Sequence, residues 1–298
     1  MVASTPKRTL FLVLFIVLLA SCAAPGGPSL LPIPATSTPT PSPTPTVTPV
    51  PLAVSVNGQG IPFPEFNAEL ARYQQAQSAL GNTVSLEIAT KTVMDEFINV
   101  LLLAEGAAAN GYQADDAALQ SRIDSLSAQL GGADKLAAWE SAHGYTDATF
   151  RSDLGRQMAA AFMRDKIAAS VPSTAEQVHV KQILLYNVDA AQQALGYLKA
   201  GTDFNDLAAQ YDPVTKGELG WFPRGYLPDA AIEAAAFALQ PGQYSDIIQT
   251  QAGFDILYMV ERDQNHPLSP DALLTLQEHA VQAWLDGQRT AGTILFAP

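Results

Sequence analysis

Few side chains in this chain could do covalent chemistry. Its 298 residues include one cysteine, Cys22, and four histidines, His143, His179, His266 and His279, spread along the chain. A lone thiol excludes an internal disulfide. Scattered histidines without a second cysteine offer no His/Cys metal site, so no metal is expected. Carboxylates are plentiful: 29 acidic against 16 basic side chains give a net charge of −13. Such a charge keeps a protein soluble and speaks against nucleic acid and against polybasic docking on anionic lipid. Asp212, followed by Pro213, reads as a turn. Just after it, residues 216–222 read as a glycine-punctuated turn that sets Leu219 between Gly217 and Gly220.

Cys22 has a specific context. Lys7 and Arg8 precede an apolar run over 10–20, which has signal-peptide length. That run is too short for a helix across a bilayer of ~30 Å, which needs about 20 apolar residues. Leu19-Ala20-Ser21-Cys22 resembles the bacterial lipobox. The resemblance implies that residues 1–21 are removed as a lipoprotein signal peptide and that Cys22 is the lipidation site. The body would then be extracytoplasmic and anchored to a membrane through that lipid, with no free thiol left. An ordinary cleaved signal with a chance cysteine is the other reading. Without Lys7 and Arg8 the count is 14 basic against 29 acidic side chains, or −15. Residues 22–52 are nearly all Pro, Thr, Ser, Gly and Ala after the cysteine, a composition that cannot bury a core and favours extended polyproline II. At ~3.1 Å per residue this linker would reach roughly 90 Å, a tether for a folded body.

Two textures follow. Residues 53–58 read as a short strand running into a turn. From Phe63 to about Val171 the chain reads as helices near 63–80, 84–110, 115–130, 133–143 and 147–170. The second carries Ile88, Val93, Phe97, Val100, Leu101 and Ala104 as a wide apolar stripe. Gly131-Gly132 is a helix stop, and Thr146 with Thr149 a helix start. After Pro172 the period changes. Residues 178–185 read as a strand rich in branched side chains, followed by helices near 189–200 and 203–211. A helix near 229–238 precedes strands near 244–249 and 254–261. Over 269–288, Leu273, Leu276, Ala280, Ala283, Trp284 and Leu285 mark an amphipathic helix.

The segment "AVSVNGQGIPFPEF", with "VMDEFINVLLLAEGAAANGYQADDAALQSRI" and "LGGADKLAAWESAHGYTDATFRSDLGRQM", resembles the N-terminal domain of the SurA/PrsA chaperone class over about 55–170. The pieces "VKQILL", "GTDFNDLAAQY", "KGELGWF", "AAFALQPGQYSD" and "TQAGFDILYMVER" are similar, in order, to the parvulin-type peptidyl-prolyl isomerase domain over about 177–263. The fold class implied is α+β: a helical SurA-N-like chaperone domain over 53–173 and a parvulin-type domain over 174–264, with a small antiparallel sheet flanked by helices. Residues 265–298 would form a C-terminal helix packing back on the helical domain.

The resemblance also implies the chemistry. Rotation about a peptide bond faces a barrier of ~18–20 kcal/mol, and X-Pro bonds have end states of nearly equal energy. A prolyl isomerase needs no nucleophile and no cofactor; none is expected here. It needs an apolar pocket for the proline ring and a few hydrogen bonds for the twisted amide. Carried over by motif, Leu219, Leu227, Ile232 and Phe237 are the substrate-binding candidates, with simple core packing as the other reading, above all for Phe237. Gln182 and Asp255 stand where the family has histidines, and Asp212 matches its acidic or cysteine position. Because both histidine positions change together, a Gln182–Asp255 hydrogen bond is expected in place of the histidine pair. His179 is three residues too early and faces the other side of the sheet. The function implied is a membrane-anchored isomerase acting on X-Pro segments of unfolded or partly folded exported proteins. The alternative is a holdase chaperone whose parvulin domain is catalytically weak or inactive.

Overall fold

The computed structural model describes residues 50–113 and 115–297. Residues 1–49, with the expected signal peptide, Cys22 and nearly all of the Pro-rich stretch, lie outside the described residues. The described chain begins with an antiparallel hairpin, β1 (Leu52–Val56) and β2 (Gln59–Pro62), turned at Asn57-Gly58 with both residues at positive φ. Five helices follow: α1 (Phe63–Ala79), α2 (Leu86–Ala109), α3 (Asp116–Leu130), α4 (Ala133–Ala142) and α5 (Asp147–Ala169). Their ends obey local chemistry. Ser85, Asp115 and Thr146 accept backbone N–H groups at three starts, and Gly131, with φ 94°, closes α3 in the left-handed region.

α2 is the spine of this half. Val93, Ile98 and Leu102 are 2% exposed or less, and they pack with Val54, Val56 and Ile61 of the hairpin and with Ala160, Met163 and Ile167 of α5. Full burial of each such side chain stabilises by about 1.5–3 kcal/mol. A satellite cluster of Ile123, Leu136 and Phe150 holds α3 and α4 against α5.

The second half is a four-stranded antiparallel sheet in the order β4-β3-β6-β5, formed by β3 (Thr174–Leu185), β4 (Glu218–Pro223), β5 (Ile248–Gln249) and β6 (Phe254–Pro267). α6 (Val188–Lys199) and α7 (Phe204–Tyr211) bury Leu195, Leu198, Phe204 and Leu207 against Ile183, Leu185 and Ile256 on one face. α8 (Ala230–Ala238) covers the other face, where Val178, Val180, Leu257 and Met259 point. Finally α9 (Pro270–Ala291) returns to the helical half. Leu285 joins its core, Trp284 and Ala280 pack beside it, and β7 (Ile294–Phe296) pairs antiparallel with β1.

Three elements differ from the reading of the sequence. The turn over 216–222 opens at Glu218 into the edge strand β4, because its second half pairs with β3 from Gln177 to Lys181. The strand near 244–249 is only Ile248–Gln249. The Ser245 hydroxyl accepts from Leu257 N at 2.9 Å and replaces a backbone acceptor, which interrupts the ladder. β7 has three residues, too few to show a period, and exists only because β1 offers it an edge.

Candidate functional site

Alternation along β3 and β6 places Gln182 and Asp255 on the α8 face of the sheet. The register then separates them: Gln182 lies opposite Leu257, and Asp255 lies opposite Leu184. They are diagonal neighbours rather than partners. No hydrogen bond joins them, so the expected Gln182–Asp255 pair is not formed. Asp255 is 3% exposed, and its Oδ2 accepts instead from Thr250 Oγ1 at 3.2 Å. Thr250 is fixed by a tight turn in which its N–H donates to Gly253 O at 2.8 Å and its Oγ1 accepts from Gly253 N at 3.2 Å. Burial pushes the Asp255 carboxyl above the usual carboxylate range; the Thr250 hydrogen bond opposes this, and the nearby Asp229 carboxylate adds to it.

Gln182 lies beside the loop after α7. Its backbone N–H donates to Gly217 O at 2.7 Å. The approach is so close that a Cβ on Gly217, whose φ is 73°, would stand 2.0 Å from Gln182 O. Glycine is required there. Gln182, Tyr186, Tyr211, Asp212 and Gly217 line a cavity of about 270 Å³ at this junction. Asp212 is thus brought beside Gln182, yet its carboxylate is occupied. It accepts from the Thr215 hydroxyl, from Thr215 N and Val214 N at 3.1 Å, and from Gly217 N at 3.3 Å. These bonds, that of the Thr215 hydroxyl first, hold its carboxyl below the usual range. Asp212 therefore acts as the organiser of its own turn.

The four apolar candidates fall in one cluster with Val178, Val180, Phe222, Leu257 and Met259. They differ in access. Leu219 and Leu227 are half-buried at its edge, with Ile248 beside them, and Ile232 is 8% exposed beneath. Phe237 is sealed. It meets Phe222 edge-on at 6.1 Å, and the Arg224 guanidinium lies 3.9 Å over its ring. Of the two readings of Phe237, substrate contact and core packing, this environment favours the core. The local reason is its place on α8, packed with Phe222 and Met259 against the sheet.

Sequence reasoning missed Thr250 and Glu233. The Glu233 carboxylate accepts from Gly225 N at 2.9 and 2.8 Å, from Tyr226 N at 3.2 Å and from Leu227 N at 3.3 Å. It fixes the loop that presents Leu227. The available signal was an acidic residue in the first turn of α8 following a Gly-Tyr-Leu-Pro loop. His179 lies on the opposite face, bonded to Glu218 Oε1 at 2.5 Å and stacked on Trp221. Among the described residues no cluster of His, Cys, Asp and Glu could hold a metal ion.

Residues 187–261 match the family model described as Rotamase, PPIC-type PPIASE domain. The match contains Asp212, Leu219, Leu227, Ile232 and Asp255 and starts after Gln182. The chain is similar to the chaperone SurA of Methylobacillus flagellatus, 25% identical over 215 residues, covering 59% of this chain and 48% of that one. It is also similar to the foldase protein PrsA of Bacillus subtilis, 33% identical over 89 residues, covering 28% of this chain and 30% of that one. Both matches span less than two thirds of the relative. Among solved structures, PrsA from Bacillus cereus is 20% identical with a TM-score of 0.44, covering 81% of this chain and 86% of that one.

Proposed function

From a chain that, through residues 187–261, belongs to the PrsA/SurA-like parvulin family, we propose an extracytoplasmic folding factor that isomerises X-Pro bonds of unfolded exported proteins. The observation that carries the reading is the apolar patch of Leu219, Leu227 and Ile232 on the α8 face, which also holds the buried, Thr250-bonded Asp255. Such a patch suits a proline ring. Enclosure there would strip water from the amide, and desolvation favours the twisted, less polar state in which amide resonance is lost. No covalent intermediate and no cofactor is needed. Asp255 shapes this environment, and Gln182 and Asp212 fix the neighbouring loop. The lipid anchor on Cys22 and the tether over 22–52 belong to the same proposal. They rest on the leader-like residues 7–22, and no described helix is long and apolar enough to cross a membrane.

A second reading, a holdase with a weak rotamase domain, is favoured by two observations: the missing Gln182–Asp255 bond and the engaged Asp212 carboxylate. One experiment separates the two. Refolding of a client limited by a slow X-Pro step takes ~10–100 s uncatalysed. Acceleration at a catalyst-to-client ratio of about one to one hundred, reduced about ten-fold or more by Leu219→Ala, supports the isomerase. No acceleration, with aggregation suppressed at equal concentrations, supports the holdase.

A further inference from the structure

The sheet half leaves a stretch of backbone edge open beside the apolar patch. β4 pairs with β3 from Gln177 to Lys181 and no farther, while β3 runs on to Leu185. In an antiparallel ladder, successive residues turn their N–H and C=O alternately to one neighbour and the other. The bonds along β6 fix which residues turn which way. Leu257 gives its N–H to the Ser245 hydroxyl at 2.9 Å, and its C=O accepts from Ser245 N at 2.8 Å, both away from β3. Gln182, opposite Leu257, therefore turns its backbone to the β4 side, where its N–H donates to Gly217 O at 2.7 Å. Leu184, two residues on, turns the same way. No strand lies at that level, and the Leu184 N–H and C=O have no hydrogen-bond partner among the described residues. Leu184 also lines the cavity of about 270 Å³ together with Gln182, Tyr186 and Tyr211. Tyr186, just past the end of β3, is 82% exposed.

An open edge of this kind accepts an added strand. A chain entering there would take the line of β4 extended past Gly217, antiparallel to β3 as β4 is. It would run from Tyr186 toward Gln182. Residues ahead of a proline would then lie along the edge, and the proline would reach the patch that opens at Leu219, two residues past Gly217. Proline suits that end of the edge. It has no N–H, and the Gln182 N–H is already spent on Gly217. The residue before a proline is held extended, as a strand requires.

We infer that the residue two positions before the proline pairs with Leu184 and exchanges both backbone hydrogen bonds with it. The site thus reads substrate backbone at that position. The inference rests on the isomerase reading of the patch and adds how the substrate is aligned. It carries a rule of selection: a proline two positions earlier has no N–H to give, so alternating prolines are poor substrates. Pro41, Pro43 and Pro45 of this chain each follow a proline by two positions, so the Pro-rich stretch escapes its own rotamase.

Exchange NMR on the full chain would measure kcat/KM for a peptide with three alanines before its proline, unmodified or N-methylated at the second or the third residue before the proline. Methylation at the second should lower kcat/KM about five-fold, and at the third, whose N–H points away from β3, less than two-fold. Proline in place of the second alanine should act like the methyl group. Leu184→Pro removes only the edge N–H, since Leu184 makes no ladder bond to β6, and should lower kcat/KM about five-fold relative to Leu184→Ala. Equal losses at the two methylated positions, or a larger loss at the third, overturn the inference whatever the variants do. If the peptide binds without turnover, the isomerase reading fails and the same comparison, made on Kd, decides the edge. If the unmodified peptide does not bind, both fail.

Discussion

At the scale of single residues, the site depends on two carboxylates with opposite roles. Glu233 accepts three successive backbone N–H groups and so holds the loop carrying Leu227. Glu233→Ala should leave those donors unpaired, cost about 1–3 kcal/mol in urea unfolding, and raise KM for an X-Pro peptide more than it lowers kcat. Asp255 is buried with a single hydrogen bond, and its affinity for a proton is raised on folding. The native state thus binds that proton more readily than the unfolded chain. Its contribution therefore becomes less favourable as pH rises from the unfolded value through the raised native one. Asp255→Asn keeps an acceptor for Thr250 and removes the charge. Its gain in thermal midpoint over the native chain should be larger near about pH 7 than near about pH 4. A gain independent of pH would show that the carboxylate is not strained by burial.

At the scale of elements, the return of α9 depends on one small residue. Gly106 sits in α2 where a Cβ would stand 2.7 Å from the Trp284 ring of α9. In an exposed helix, alanine in place of glycine would stabilise by about 1 kcal/mol. Here the close approach of α9 reverses the sign. Gly106→Ala should destabilise by about 1–3 kcal/mol and increase proteolysis within α9. The helices themselves were legible because their apolar period, glycine stops and caps are local signals. β4 and β7 were not: each is a strand because a neighbour presents an edge, and Ser245 truncates β5 through a bond to a residue twelve positions away.

At the scale of the whole molecule, α9 joins the two halves. It packs Leu285 into the helical core with Val281 beside it, and lies against the site loop, where a Cβ on Gly225 would be 3.5 Å from Leu276. Removing residues 265–298 should therefore expose the α2–α5 core, lower the midpoint of the helical half in calorimetry, and leave a separate transition for the sheet half. A single transition after truncation would mean that the halves do not depend on α9 in this way.

The sequence by itself determined the α+β composition, the order of the helices, and the rotamase stretch, because periodicity, caps and motif order are written locally. Simple alternation along β6 also turns Asp255 to the same face as Leu257 and Met259, while Leu227 and Ile232 reach that face only by the packing of α8 and its leading loop. Only the tertiary structure decided which of them touch. The regular β3–β6 register from Val180 to Leu185 places Gln182 and Asp255 on a diagonal, and Asp255 takes Thr250 as its hydrogen-bond partner instead. Packing of Arg224 over its ring seals Phe237, and five backbone and hydroxyl donors compete for Asp212 and Thr250 within their own turns. Partner choice of this kind depends on distances between segments remote in sequence, and no local pattern encodes them.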